Sequence, residues 1–342
     1  MEPLSNQSFL HPMVHLAGIP GVPARNIGVS ISFCFIYVAA LLGNSVVLLV
    51  ITKDRSLHKP MYLFLCMLAV SELGVSISTL PTVLSVFLFD AREIGLDACL
   101  SQMFFIHCFS SMESGVLWAM TLDRFMAIYN PLQYTTILTN FRIMWIGLGI
   151  AMRNGLLMAP LPVLLRGLPF CKSNVLAHPY CKHPDLIRLP CADTTVNSQT
   201  GLFCVVSTFG FDSLCIILSY VMILKTVLNI TSQKGHLKAL NTCVSHICAV
   251  VLYYTPVIGL AIAHRFGKHD SPMLPSVMAS IYLLVPPILN IIIYSIKTKD
   301  IHKALGRFLS LRKFRSGMAK SPICIPNRVY GFSSSVWLDG RT

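Results

Sequence analysis

The sequence predicts an all-α membrane protein, a seven-transmembrane helix bundle with a short amphipathic cytoplasmic helix. The chain has 342 residues and a mean hydropathy of +0.66, and only 12% of the residues are charged, about half the share in a typical soluble domain. This apolar excess must face lipid or other spans. Helices satisfy the backbone in lipid, and one span takes about 20 apolar residues. Seven such stretches are present, at residues 27–51, 60–88, 98–124, 141–164, 200–228, 238–263 and 272–296.

The distribution of Lys and Arg gives the orientation of the spans. Basic residues such as Lys53, Arg55 and Lys238 are concentrated on one side of the predicted membrane, and the positive-inside rule makes that side cytoplasmic. The N-terminus is then extracellular and the C-terminal tail cytoplasmic. The predicted divisions are an extracellular N-terminus (1–26), the bundle (27–296), a juxtamembrane amphipathic helix (297–315) and a disordered tail (316–342).

This orientation places one glycosylation sequon and four loop cysteines outside the cell. Asn6 begins the sequence Asn-Gln-Ser, which is a glycan acceptor on an extracellular segment. An oxidising exterior also favours disulfides among the loop thiols. Four thiols allow three pairings, and free loop thiols remain the alternative. The four cysteines are Cys99, Cys171, Cys181 and Cys191.

Several function classes lack their sequence marks. The net charge of +13 comes without a basic face interleaved with aromatic residues, so nucleic-acid binding is not expected. There is no metal-ligand spacing, phosphate loop or serine elbow, so neither an enzyme nor a cofactor is expected. A small-solute transporter or channel is the alternative function. Glu72, Glu113 and Arg153 are too few to trace a conducting path for it.

The charged and polar residues within the spans must find partners inside the bundle, because each is costly in lipid. Arg124 follows Asp123 at the cytoplasmic end of the third span, and Tyr220 and Tyr294 are phenols on spans that could approach it. An arginine that only reaches toward lipid headgroups is the simpler interpretation. Deeper in the membrane, four polar residues should converge, namely Asn44, Glu72, Glu113 and Asn290.

Four motifs carry a resemblance to a known family. The third span ends in Met120-Thr-Leu-Asp-Arg-Phe-Met-Ala-Ile-Tyr-Asn-Pro-Leu132, and the second begins Lys59-Pro-Met-Tyr-Leu-Phe-Leu65. The sixth is entered by Lys238-Ala-Leu-Asn-Thr-Cys-Val-Ser-His246, and Ser219-Tyr220 lies in the fifth. Together they resemble the odorant receptors of the G-protein-coupled class, over about residues 20–310. The contexts of Arg153, His183 and His264-Arg265-Phe266 resemble the class I branch.

The resemblance implies a receptor of the plasma membrane that has two conformational states. An odorant would shift the equilibrium between these states, activate a heterotrimeric G protein of the stimulatory olfactory type and raise cAMP. Asp123 and Arg124 would form the cytoplasmic latch, with Tyr220, His246, Asn290 and Tyr294 as the other switch residues. Glu72 and Glu113 would hold a sodium ion or protons, and two simply protonated, hydrogen-bonded acids remain the alternative. The chain departs from the family at Glu72, where Asp is usual, and at Ile291, where Pro is usual.

The resemblance also selects the disulfides Cys99–Cys181 and Cys171–Cys191, which would hold the second outer loop over the bundle as a lid. Beneath it a ligand pocket should be mostly apolar with a few polar groups. Any one of its predicted residues could instead be interior packing. The pocket residues are predicted to be His107, Ser111, His183, Cys204, Thr208, Tyr254, Ile258 and Arg265.

Carboxylic acids are one ligand class predicted for this pocket. Arg265 would lie at the outer end of the sixth span, near His183 in the lid and His107 below it. A guanidinium binds a carboxylate through two parallel hydrogen bonds, and class I receptors often respond to acids. In the alternative interpretation Arg265 contacts lipid headgroups or Asp270.

Overall fold

The computed structural model describes residues 13–17, 27–170, 174–176, 178–229, 233–266, 286–290, 303–304 and 306–307. Within them lie ten α-helices and three short strands. The helices are α1 (Ile27–Lys53), α2 (Pro60–Phe89), α3 (Leu96–Tyr129), α4 (Tyr134–Ile137), α5 (Asn140–Met158), α6 (Pro160–Arg166), α7 (His183–Leu186), α8 (Thr195–Val205), α9 (Phe211–Leu228) and α10 (Gln233–Phe266). The strands are β1 (Met13–Leu16), β2 (Glu93–Gly95) and β3 (Val175–Leu176).

Each of the first six predicted spans coincides with helical chain. Five stretches within the described residues are long and apolar enough to cross a membrane, namely Ser30–Lys53, Pro60–Phe89, Asn140–Arg166, Thr195–Leu228 and Cys243–Leu260. The helix α3 occupies the place of the third predicted span. Of the seventh, residues 286–290 are described and are helical, and the rest lies outside the described residues.

Local sequence explains where several helices begin and end. Pro60 is at the first position of α2, where its missing N–H costs no hydrogen bond. Asp90 ends that helix in the left-handed conformation, with φ of 52°, which Asp tolerates better than most residues. The hydroxyl of Thr139 accepts the N–H of Arg142 and caps α5. Between α8 and α9 the chain Val206–Gly210 is wound as a π-helix.

The helix α3 lies in the middle of the bundle, in contact with α2, α5, α9 and α10. Its apolar side chains Leu117 and Met120 pack with Phe64 of α2 and Ile150 of α5 in the largest buried cluster. The outer surface is also apolar, since Phe35 is 73% exposed and Leu156 72% exposed. A soluble monomer rarely exposes such continuous apolar surface, so this surface suits lipid.

A small sheet covers part of the outer end of the bundle. Its strand order is β2-β1-β3, and β1 pairs antiparallel with β2 and parallel with β3. Along β1 the side chains alternate, with Met13 exposed and Val14 and Leu16 buried to 1% and 2% exposure. Nothing in the sequence indicated this sheet, which brings the N-terminal segment into contact with the first and second outer loops.

The second outer loop is joined to α3 by the disulfide Cys99–Cys181, whose Cα atoms are 5.5 Å apart. This pairing was predicted from the family resemblance and is confirmed. Cys191 also takes part in a disulfide. Its predicted partner Cys171 lies outside the described residues, so that pairing stays a prediction. Asn6 lies outside them too.

Candidate functional site

The predicted latch lies at the C-terminal end of α3. Nη2 of Arg124 is 3.4 Å from Oδ2 of Asp123, and both side chains are buried. The phenol of Tyr134, in the inner loop after α3, donates a hydrogen bond of 2.6 Å to Oδ1 of Asp123. Burial and the nearby carboxylate raise the pKa of Tyr134 well above its ordinary value, so the phenol remains a donor at neutral pH. Sequence reasoning missed this third member of the latch.

Tyr220 and His246 form a second contact beside the latch. The phenol of Tyr220 on α9 lies 2.6 Å from Nδ1 of His246 on α10. The imidazole is buried and close enough to Arg124 for their charges to interact. The structure therefore gives Tyr220 a histidine partner, and an approach of its phenol to Arg124 itself stays a prediction. Tyr294, the other predicted phenol, lies outside the described residues.

The predicted polar core is brought together where α1, α2, α3 and the helical residues 286–290 meet. The side-chain amide of Asn290 donates to Oε1 of Glu72 at 2.5 Å. Asn44 lines the same small cavity as Glu72, and its Nδ2 makes no hydrogen bond to a described residue. Glu113 of α3 is close enough to Glu72 for an electrostatic interaction. These side chains lie within the bundle, each at most 5% exposed.

A small cavity adjoins this polar core, at the place where the predicted sodium ion would bind. Its volume is about 10 Å³, and Asn44, Glu72 and Asn290 line it together with apolar side chains. A volume of about 10–15 Å³ holds one water molecule. Oδ1 of Asn290 makes no hydrogen bond to a described residue, so an acceptor stands ready for a cation or a water proton. Sodium binding at Glu72 and Glu113 stays a prediction.

A buried ion pair between α5 and α9 is the main feature that sequence reasoning missed. The guanidinium of Arg153 donates two hydrogen bonds, of 2.7 and 2.8 Å, to the carboxylate of Asp212. The hydroxyl of Ser114 on α3 donates to the same carboxylate at 2.9 Å and lies 2.7 Å from the phenol oxygen of Tyr254 on α10. We refer to Arg153, Asp212, Ser114 and Tyr254 as the mid-membrane network. It joins four helices that the chain places far apart in sequence.

The sequence did contain a signal for this network. Asp212 is an acid within an apolar span, and Arg153 is a base within another. Charges in spans pair with one another, so their opposite signs could have suggested the contact. Tyr254, which the sequence assigned to the ligand pocket, here directs its phenol to Ser114.

Two of the predicted pocket residues, His107 on α3 and His183 in the lid, are in contact. The backbone N–H of His183 donates to Nε2 of His107 at 3.3 Å, which joins the lid to α3. Ser111, Cys204 and Thr208 are buried, and each donates to a backbone carbonyl. Their polar groups therefore have partners without a ligand.

Two other predicted pocket residues differ from this group. Ile258 on α10 is 54% exposed, and its place in the ligand pocket stays a prediction. The side chain of Arg265 lies outside the described residues. Its proposed ion pair with a ligand acid stays a prediction.

Comparison with known proteins places these features in a family. A model of the family described as "Olfactory receptor" matches residues 33–312. The human olfactory receptor 51F2 is 50% identical over 91% of this chain and 91% of its own length. The human olfactory receptor 51G1 is 52% identical over 92% of this chain and 98% of its own length.

Among solved structures, the crystal structure of squid rhodopsin matches with a TM-score of 0.68 at 18% identity, over 84% of this chain and 81% of that one. An identity this low is evidence for the fold alone. The seven-transmembrane fold class predicted from the sequence is confirmed.

Proposed function

The chain belongs to the olfactory receptor family, and on that premise we propose that it is an odorant receptor. In this proposal a small molecule binds inside the bundle beneath the lid, and a stimulatory G protein of the olfactory type then raises cAMP. Family membership makes the chain a multipass signalling receptor of the plasma membrane and not an enzyme. It does not favour the transporter or channel that the sequence left as an alternative.

One observation supports the proposal most, which is the arrangement of three polar layers along α3. His107 contacts the lid, Ser114 belongs to the mid-membrane network, and Arg124 belongs to the latch. At 1.5 Å per residue, the first and second layers are about 10 Å apart along the helix, and the second and third about 15 Å. A single rigid element therefore reaches from the proposed ligand site to the proposed G-protein surface.

The mid-membrane network supplies a way to link ligand and latch. Tyr254 lies on α10, the same helix as His246 near Arg124. A ligand that prefers one position of α10 relative to α3 would shift the population of that position. The Ser114–Tyr254 contact and the environment of Arg124 would then change together.

The orientation and the membrane partners belong to the same proposal. An extracellular N-terminus agrees with the disulfide Cys99–Cys181, because such bonds form in oxidising compartments. Two apolar grooves of about 420 and 470 Å³ lie against α3 and α5 and open onto the surface of the bundle. Membrane lipid is the proposed occupant of these surfaces.

The test is a cAMP assay in cells that express the chain with an olfactory-type G protein, screened with small volatile acids, alcohols and aldehydes. We expect at least one compound to raise cAMP, and we expect Arg124→Ala at equal surface expression to abolish the response. Uptake of a compound without a cAMP response would instead support transport.

A further inference from the structure

The lid contains a buried ammonium group with no hydrogen-bond acceptor among the described residues. Lys182 is 4% exposed, and its Nζ makes no hydrogen bond or salt bridge with any described residue. Nζ lies 5.0 Å from the ring centre of Tyr180, a weak contact compared with an ion pair. Burying a charge without a partner is costly, so this arrangement calls for an explanation.

The nearby acid does not provide one. Asp185 is close enough to act on Lys182 electrostatically, but its Oδ2 lies 3.4 Å from Nε2 of His178. The carboxylate therefore has a histidine partner of its own. The three N–H groups of Lys182 remain available to another acceptor.

The backbone on either side of Lys182 is fixed to α3. Cys181 is held by its disulfide to Cys99, and its N–H donates to the side chain of Gln102 at 2.9 Å. On the other side, the N–H of His183 donates to His107. The ammonium is therefore preorganised at the outer end of α3, above the proposed pocket.

We propose that the ammonium of Lys182 binds the carboxylate of an acidic ligand held between the lid and α3. This inference rests on the proposed function and names the residue that would select an acid over a neutral ligand. A carboxylate would accept hydrogen bonds from Nζ and compensate the buried charge, which a neutral alcohol or ester would do less well. His107, whose charge interaction with Lys182 marks their proximity, and His183 are further polar groups around the same position.

The electrostatics of the lid agree with this assignment. Burial lowers the pKa of Lys182 to about 8 and that of His183 to about 4. At neutral pH Lys182 is thus the cation of this pair and His183 is neutral. A bound carboxylate would favour the charged form of the lysine.

Ligand binding to purified receptor tests the proposal without depending on signalling. The full chain in lipid nanodiscs is heated with straight-chain acids of three to nine carbons, and with the methyl ester and alcohol of each, because a ligand that binds the folded state raises Tm. The variants are Lys182→Met, Lys182→Arg and Arg188→Met. The last removes the same charge from an exposed residue of the same loop.

We expect an acid to stabilise the wild-type receptor more than its ester or alcohol does. Lys182→Met should weaken the apparent affinity for the acid by about tenfold or more, the size of a lost charge-assisted hydrogen bond. Its affinity for the alcohol should change by less than about threefold. Lys182→Arg should keep most of the acid preference, and Arg188→Met should keep all of it.

Two results would overturn the assignment. One is that no acid stabilises the wild-type receptor, and the other is that Lys182→Met weakens acid and alcohol equally. If acids bind in this way but no ligand raises cAMP in cells, the proposed function fails while the assignment of Lys182 stands.

Discussion

The ion pair of Arg153 and Asp212 shows how much one contact can matter inside a membrane. The carboxylate of Asp212 is 0% exposed and receives two hydrogen bonds from the guanidinium and one from Ser114. Removal of one partner would leave a buried charge uncompensated. Such losses cost about 3–5 kcal/mol in proteins.

We therefore expect Arg153→Met, which leaves the buried carboxylate of Asp212 without its cation, to lower the stability of the receptor by about 3 kcal/mol. The measurement is thermal unfolding of purified receptor. Arg166→Met is the control, because Arg166 pairs with Asp97 at 3.3 Å but is 71% exposed, and exposed pairs contribute less than about 1 kcal/mol. Equal losses for the two variants would show that the mid-membrane network does not stabilise the fold.

At Gly201 on α8 the absence of a side chain matters. A Cβ atom there would lie 2.5 Å from Cε1 of His183, inside van der Waals contact, and His183 in turn binds His107 through its backbone. Gly201→Ala must displace the lid or the helix. Gly155 on α5 has no atom within 4 Å of such a Cβ.

Gly201→Ala should shift the agonist concentration for half-maximal cAMP upward by about tenfold, since overpacking of this kind costs about 1–3 kcal/mol. Gly155→Ala should leave the dose–response curve in place at matched surface expression. A curve for Gly201→Ala that overlays the wild type would mean that the position of His183 does not affect ligand binding.

At the scale of elements, the strand β1 fastens the outer loops to each other. It pairs with β2 through Met13, Val14 and His15, and with β3 through His15 and Leu16. The buried side chains Val14 and Leu16 pack in the same cluster as Cys99 and Cys181. The N-terminal segment therefore contributes to the lid that covers the proposed pocket.

Val14→Asp should loosen the sheet, because it places a carboxylate at a position that is 1% exposed. Hydrogen exchange at the backbone of β2 and β3 is expected to become at least about tenfold faster. Met13→Asp changes the neighbouring residue of the same strand, which is 42% exposed, and should have little effect. Equal exchange in both variants would contradict a structural role for β1.

The π-helix Val206–Gly210 is a second element-level feature that the sequence did not indicate. It contacts α3 and contains Thr208, whose hydroxyl bonds to the carbonyl of Cys204. It ends immediately before α9, which begins at Phe211 and carries Asp212. The π-helix thus lies directly before α9, the helix that supplies the acid of the mid-membrane network.

At the scale of the whole molecule, the spans were predictable because length and apolarity alone decide whether a helix can cross lipid. The latch Asp123–Arg124 was predictable because its members are adjacent in sequence. The pair Arg153–Asp212 was not foreseen, because two charges 59 residues apart on different spans meet only once the helices are packed.

The small sheet and the partner of Tyr134 were missed for a related reason. Strands of two to four residues are too short for a hydrophobic alternation to be recognised, and their pairing depends on loops held by the disulfide. Tyr134 lies in a four-residue helix whose position relative to Asp123 depends on the turn after α3. Local sequence contains neither relation.

A ligand site on one side of the membrane and a G-protein surface on the other require an odd number of crossings with the N-terminus outside. The direct measurement places one epitope tag at each end of the chain and stains cells with antibody before and after permeabilisation. We expect the N-terminal tag to be stained on intact cells and the C-terminal tag to be stained only after permeabilisation. Staining of both tags on intact cells, or of neither, would contradict this topology.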